Sequence, residues 1–360
     1  MRRLHFETLK PVCPACRLRR REAPLELAPG AMMQDDAAWT GVLRCTAQDC
    51  AQAYPIIAGT PILVPDLPSW LSANLHLVLE SEVEGTDAEA VIGAAVGPDA
   101  AFNVARQQQS TYGHDHYGDL FEPVPVGSDA EAAGSIRRLL AAVRALLKPA
   151  DGPVLDIGCA VGRTTLDLAA GASAPVLGID LNWQLLKIAR RAIDQGVVSY
   201  PLRRVGNRFE RRSVRASFPG ANHADFWIAD ALALPFRSGT FRQAFAMNVL
   251  DCVADPAGLV CEMSRALSGE GELALATPFD WASHATNPSG WLESPVALES
   301  MLAGIKDALA GEGGRRLVSI APPAEQPWHV RLHDRAAVHY TSQLLTFRCS
   351  VDPGEIAQET

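Results

Sequence analysis

The run Val154-Leu-Asp156-Ile-Gly158-Cys159-Ala160-Val-Gly162-Arg-Thr-Thr165 decides the fold. Val154 to Ile157 reads as a buried strand, the two glycines as a tight turn, and Arg163 onward as a helix. Twenty-four residues after Asp156, a second apolar strand ends in Gly178-Ile-Asp180. A strand, a glycine turn, a helix and an acid-tipped strand form the part of an α/β sheet that holds a nucleoside. Gly158 and Gly162 let the backbone approach a ligand where a Cβ would collide. The helix points its free N–H groups into the turn. Asp180 stands where a carboxylate can accept from both ribose hydroxyls. Asp156 is expected to organise the turn, by capping its backbone, by holding a ligand amino group, or both.

The spacing separates two ligand classes. A dinucleotide fold uses Gly-x-Gly-x-x-Gly, whereas here Cys159, Ala160 and Val161 fill the interval between the glycines. The run resembles the first motif of class I S-adenosylmethionine-dependent methyltransferases. Further segments follow in that family's order. Phe226-Trp-Ile-Ala-Asp230-Ala231 reads as a strand ending in an acid, and Phe241 to Asn248 as a strand whose tip continues into Val249-Leu-Asp251. Asp255-Pro256 opens a helix with proline in its first turn, and Glu272 to Thr277 is a further strand. The resemblance implies a Rossmann-like, seven-stranded α/β sheet. It also implies that Asp230 and the Ala231 N–H meet the adenine, and that Asn248 and the Gly158–Gly162 turn, with Cys159 and Ala160, line the cofactor site. Leu181 and Trp183 are read as flanking the adenine, with Trp183 alternatively packing down on the sheet as the first helical residue.

The 360 residues suit a main domain plus an accessory module. Hydrophobic content of 48% with 20% charged residues indicates a globular protein with a substantial core. No apolar stretch reaches the roughly 18 residues that span a bilayer, and Met1 to Thr8 lacks the apolar centre of a signal peptide. A cytoplasmic location is the expectation.

Cys13-Pro-Ala-Cys16 and Cys45-Thr-Ala-Gln-Asp-Cys50 form two knuckle-like pairs. Four thiolates so spaced can close a tetrahedral structural zinc site, which in a reducing compartment is favoured over disulfides. The following Ala53-Tyr-Pro-Ile-Ile-Ala-Gly-Thr-Pro-Ile-Leu resembles the tail of the small zinc-ribbon proteins that activate methyltransferases. Residues 1–66 are therefore assigned to a zinc-ribbon module, 67–130 to a helical linker and lid, and 131–350 to the methyltransferase domain. An insertion at about 200–222 and a tail at 351–360 complete the division.

Gln107 to Asp119, read as a loop with Tyr112, His114, His116 and Tyr117, occupies the place where the resembled methyltransferases bring a lid segment over the cofactor. It is expected to contact substrate or cofactor, with Tyr112 and Tyr117 as substrate candidates, the alternatives being a solvated turn and a metal held by His114 and His116. The insertion holds six arginines in the thirteen residues from Arg203 to Arg215. A nucleic-acid patch is the sharper reading, but a net charge of −9 and a pI near 5.5 supply no attractive field for a polyanion. A solvated hairpin, with a local anion site left open, fits better.

From Val154 to about Arg348, including "MNVLDCVADP", "ATPFDW" and the closing run from Trp328, the chain resembles the methyltransferase domain of ovothiol-biosynthesis enzymes. Those enzymes methylate an imidazole nitrogen of a mercaptohistidine. Here a cysteine-rich module stands where they carry an iron-dependent sulfoxide synthase. The resemblance implies a small nitrogenous acceptor and nominates Arg331, Arg335 and Gln343, which either bind a substrate carboxylate or brace the last hairpin. A neutral imidazole nitrogen needs no strong base at pH 7; for a hydroxyl or carbon acceptor, His114, His116 and Asp251 are the candidates. Two other readings are an RNA or protein methyltransferase, and a non-catalytic protein that binds S-adenosylmethionine or a partner.

Overall fold

The computed structural model describes residues 1–70, 73–74, 98–122, 133–311 and 315–351. Of the helical linker and lid expected over 67–130, residues 71–72, 75–97 and 123–132 lie outside these residues. The strands that read as unbroken apolar runs are buried on both faces, as a parallel sheet requires. They are β6 (Val154–Ile157), β7 (Val176–Asp180), β10 (Ala224–Ala229), β11 (Phe241–Met247) and β12 (Leu267–Thr277). They align in parallel in the order β10-β7-β6-β11-β12. β15 (Ala336–Val351) follows antiparallel to β12, and β13 (Arg315–Ser319) pairs antiparallel with β15. These seven strands make the anticipated Rossmann-like sheet.

The sheet does not end at β10. The N-terminal module contains β1 (Leu25–Leu27), β2 (Met32–Gln34), β3 (Ala37–Cys45), β4 (Ala53–Ile57) and β5 (Thr60–Leu63). Its last strand adds in parallel to β10, with Ile62 opposite Ile228 and Leu63 opposite Ala229. β4 pairs with β5, β3 with β4 and β1 with β3, all antiparallel, so one hydrogen-bonded surface runs from the module into the Rossmann-like sheet. The module docks on its own core.

Polar contacts close this seam. Val12 N donates to Pro235 O at 2.6 Å, Arg2 N to Asp225 at 2.9 Å, and Arg17 to Glu262 at 3.2 Å. Asp225 is fully buried, and burial alone would raise its pKa. The Arg190 guanidinium beside it outweighs that and holds the carboxyl well below the usual range. Leu43, Tyr54, Ile56 and Leu63 from the module pack in the same apolar cluster as Trp227 and Phe236 from the sheet.

The helices before the module's end are α1 (Arg3–Leu9) and α2 (Pro14–Arg17). Those around the sheet are α3 (Ala101–Tyr117), α4 (Ser135–Arg144), α5 (Arg163–Ala169), α6 (Trp183–Asp194), α7 (Pro256–Ala266) and α8 (Pro295–Gly311). Asn182 caps α6 by accepting from the N–H groups of Gln184 and Leu185, and Asp255 caps α7 by accepting from Gly258.

Two expectations are corrected. Tyr112 to Tyr117 lie on a helix and not in a loop. The periodic signal was missing because the buried side of α3 is polar: Asn103, Arg106, Gln109 and Ser110 are all buried, and Gln109 donates to Gln184 O at 3.0 Å. Gly113 is required within this helix, since a Cβ there would stand 2.5 Å from the Tyr200 ring. Trp183 takes the packing alternative, buried at the start of α6.

The arginine-rich insertion is a two-stranded hairpin, β8 (Val197–Val205) and β9 (Arg208–Arg215). Arg204 pairs with Glu210 and Asp334, and Arg212 with Glu122 and Glu210. Much of the charge run is thus satisfied locally. The remaining strand, β14 (Ala324–His333), pairs antiparallel with β15.

Candidate functional site

The C-terminal tips of β6, β7, β10 and β11 open onto a cavity of about 690 Å³. Its floor is the glycine turn. Gly158 has φ +66°, and a Cβ there would lie 2.4 Å from Val249 Cγ2. Gly162, at φ +86°, would meet Ala189 and the Phe226 ring at 2.6 Å. Ala160 accepts a left-handed φ of +49°, and its N–H donates to Asp180 Oδ2 at 2.9 Å. The other Asp180 oxygen accepts from Asn182 N at 2.8 Å. Two backbone donors thus fix this carboxylate at the cavity rim, with lone pairs left for a ligand. Asp156 accepts at 2.6 Å from the hydroxyls of both Thr164 and Thr165. Burial pushes its pKa up to about 6. Asp230 accepts from Leu232 N at 2.9 Å, and burial raises its pKa as well.

Asp156, Gly158, Ala160, Asp180, Leu181, Asp230, Ala231 and Asn248 all line this cavity. Cys159 and Gly162 do not line it. The Cys159 side chain is buried, with its sulfur 2.9 Å from where a Cβ on Gly178 would lie, and Gly162 is packed against Ala189 and Phe226. Both shape the turn from beneath. Asn248 holds a φ of +59°, and neither atom of its amide has a hydrogen-bond partner although both are buried. Orphaned amide atoms at a cavity wall are groups that a ligand would satisfy.

The opposite half of the cavity is built from elements distant in sequence. α3 contributes Tyr112 and His116, β14 contributes Trp328, and the stretch after β12 contributes His284. Trp328 is held from two sides: its indole N–H donates to Asp115 at 2.9 Å, and its ring stacks on Tyr340 with centroids 4.9 Å apart. Tyr340 in turn donates to Asp280 at 2.7 Å. Burial, and then Arg163, push the His116 pKa down to about 3, so the imidazole is neutral at pH 7. α3 is fixed over the glycine turn by Tyr117, whose hydroxyl donates to Val161 O at 2.8 Å, and by an ion pair of Arg163 with Asp119 at 3.0 Å.

Of the three proton-transfer candidates, His116 alone lines this cavity. Asp251 is buried just behind the wall formed by Val249 and Cys252, and accepts from Asp280 N at 2.9 Å. His114, two residues before His116 on α3, faces a second cavity together with Arg331 and Arg335. Of the acceptor-site candidates, Tyr112 lines the main cavity. Tyr117 is a buried brace, and Gln343 is buried in the β12–β15 ladder opposite Thr277. Trp328, His284 and Cys252 were not singled out for this site by sequence. His284 follows the tip of β12 and could have been found from that position; Trp328 opens the recognised closing run, but no local signal placed it at this cavity.

In the module, between the seam contacts of Val12 and Arg17, the ligand atoms of Cys13 and Cys16 lie with those of Cys45 and Cys50 within 4.8 Å of one another. The Cys13–Cys50 and Cys16–Cys45 separations are both 3.8 Å. Four sulfurs about 2.3 Å from a common centre would be about 3.8 Å apart, so the set has the dimensions of a tetrahedral thiolate site. The buried Tyr54 hydroxyl lies 3.2 Å from Cys13 Sγ.

Among the described residues, no helix is long and apolar enough to cross a membrane. A family model described as a methyltransferase domain matches residues 155–275. The chain is 28% identical over 165 residues to the O-methyltransferase cnsE of Penicillium expansum, covering 46% of this chain and 51% of that protein. It is 29% identical over 161 residues to the methyltransferase GfsG of Streptomyces halstedii, covering 45% and 49%. The chain therefore spans about half the length of the curated relatives it matches. Solved structures with similarity include a SAM-dependent methyltransferase from Methanosarcina mazei, at 18% identity and TM-score 0.40, covering 59% of this chain and 98% of that one. Another is a complex containing the Haloferax volcanii Trm112 methyltransferase activator, at 15% identity and TM-score 0.39, covering 59% and 91%. With the glycine turn, the strand-tip acids and the sheet order in place, residues 155–275 constitute a class I S-adenosylmethionine-dependent methyltransferase domain.

Proposed function

We propose that this protein transfers a methyl group from S-adenosylmethionine to a nitrogen of a small acceptor, with a histidine-derived imidazole as the leading candidate. The observation that carries this reading is the composition of the cavity's second half. It is an aromatic wall of Tyr112, His116 and Trp328, and its buried histidine is too weak a base to serve at pH 7. A cavity of about 690 Å³ lies in the range for small-molecule sites and has the room for a cofactor with a compact acceptor.

In this reading Asp180 holds the ribose, Asp230 and the Ala231 N–H meet the adenine, and Asp156 orders the turn that receives the methionine end. The sulfonium supplies an already activated methyl group. The chain's own task is to align the acceptor nitrogen with it and keep water out. The unprotonated ring nitrogen would form the new N–C bond as the S–C bond breaks and S-adenosylhomocysteine leaves, and the resulting imidazolium would release the N–H proton of its other ring nitrogen to solvent. The Tyr112 and Trp328 rings supply flat faces for a heteroaromatic acceptor.

A second reading, a hydroxyl acceptor, is favoured by the name of the cnsE relative and by His284, which lines the same cavity. Labelled methyl transfer to imidazole, phenol and RNA substrates distinguishes these readings. Label on imidazole nitrogens is the expected result; label on phenols or RNA alone would overturn the nitrogen assignment.

The four cysteines fit a structural Zn2+, consistent with the 3.8 Å sulfur spacing. Burial pushes the Cys45 thiol up to about 11, and a cation bound there would favour its thiolate. The ion would hold the α2 turn against β3 and so stabilise the module. Elemental analysis should find one zinc per chain, and Cys13→Ser should lose it. Because the module and the sheet share an apolar cluster, that variant is expected to lower the melting temperature of the whole molecule.

A further inference from the structure

Strand alternation on β14 sends Trp328 and Val330 into the core and leaves His329 and Arg331 on the other face. That face borders a second cavity of about 370 Å³, lined by His114, His329, Arg331, His333, Arg335 and His339 among others. Four of the chain's nine histidines and two arginines converge here, on a protein whose net charge is −9. The acids at this cavity are already engaged. Asp115 accepts from the Trp328 indole and from Ile136 N, and Asp334 accepts from Arg204 and Arg331.

The cationic groups are not equally satisfied. Arg331 Nη1 is buried without a hydrogen-bond partner. Among the described residues the Arg335 guanidinium has no ion-pair partner either; only its backbone N–H is engaged, on His333. The His329 and His339 rings meet edge-on with centroids 4.2 Å apart, which sets two imidazole rings side by side at this cavity. Burial, followed by Arg331, holds the His114 pKa down to about 4. A shared metal is not the fit: among the described residues, the four cysteines are the group whose ligand atoms converge as a metal requires.

We propose that this second cavity is a binding site for a small molecule bearing a carboxylate or phosphate group, held by Arg331, Arg335 and the surrounding imidazoles. Guanidinium groups match either anion through paired N–H donors, and imidazole N–H groups add further donors. The site is separate from the methyl-transfer cavity, so its existence does not depend on the acceptor assigned there.

The test is calorimetric titration of the full chain at pH 7 and low salt with inorganic phosphate and, separately, with succinate. Saturable one-site binding of at least one anion is expected, weakened about tenfold by Arg331→Gln and by Arg335→Gln. Both variants should retain their affinity for S-adenosylhomocysteine. Arg331 also donates to Arg203 O and helps hold the hairpin, so Arg335→Gln must show the loss by itself. Tighter phosphate binding would assign a phosphate-bearing ligand, and tighter succinate binding a carboxylate. No saturation by either anion up to roughly 10 mM, or unchanged affinity in Arg335→Gln, would overturn the proposal.

Discussion

The two halves of the main cavity are built differently. The half proposed to hold the cofactor is made of backbone: a glycine turn, strand tips and acids held by neighbouring N–H groups, all within a few residues of a parallel strand. The other half is made of side chains delivered by α3, β14 and the stretch after β12, each positioned by contacts far away in sequence. A backbone-built site tolerates little change in residue type, because its positive φ angles and close approaches leave no room. A side-chain-built site can be altered one group at a time, and under the proposed function this is where acceptor choice would reside.

The largest effect should come from breaking the backbone half. Gly162→Ala places a Cβ at φ +86° and 2.6 Å from Ala189 and Phe226. A loss on the order of 3 kcal/mol is expected in denaturant unfolding, from backbone strain and overpacking together. An unchanged midpoint would show that the turn is more adaptable than described. Asp180→Ala comes next: S-adenosylhomocysteine affinity should fall roughly 10- to 100-fold, the worth of charge-assisted hydrogen bonds at a buried site.

The side-chain half should respond differently. His116→Phe preserves the packing against Tyr112 and removes the polar edge of the wall. Affinity for S-adenosylhomocysteine should hold while kcat/KM for the acceptor drops about tenfold, the cost of one transition-state contact of about 1.4 kcal/mol. An equal loss in both would erase the distinction between the halves.

The smallest change in turnover is expected from Asp251→Asn, since this carboxyl sits behind the wall and supports Asp280. Turnover should change far less than the roughly 100-fold or greater loss expected for a general base. Stability supplies a second readout. Burial raises the Asp251 pKa from 3.8 to about 6, so the native state binds the proton more tightly than the unfolded chain does. The wild type therefore loses stability as pH rises from about 4 to about 6 and is level above, whereas an amide at this position has no charge to bury. The variant should gain on the wild type across that window in denaturant titrations; a difference that stays constant with pH would refute the assigned pKa.

The same contrast explains what could be read in the sequence. Asp230 was legible through the family resemblance, and the turn from Asp156 to Gly162 and Asp180 because local spacing sets their geometry. The four cysteines were legible for the same reason, although the 3.8 Å sulfur spacing depends on β3 and β4 folding back. α3 was not, since its buried face is polar and satisfied by hydrogen bonds, which leaves no apolar period to detect. The pairing of Ile62 with Ile228 was hidden as well: each strand reads as apolar, and nothing local specifies the partner. Trp328 belonged to a recognisable closing run, yet its place at the cavity depends on Asp115 and Tyr340.

The most direct test of the account is calorimetric titration of S-adenosylhomocysteine into the wild type and Asp180→Ala, with and without an imidazole acceptor. One site of micromolar affinity, tightened by the imidazole and weakened by the substitution, is the predicted result. Absence of binding to the wild type, or binding indifferent to Asp180, would contradict the assignment of the glycine turn as the cofactor site.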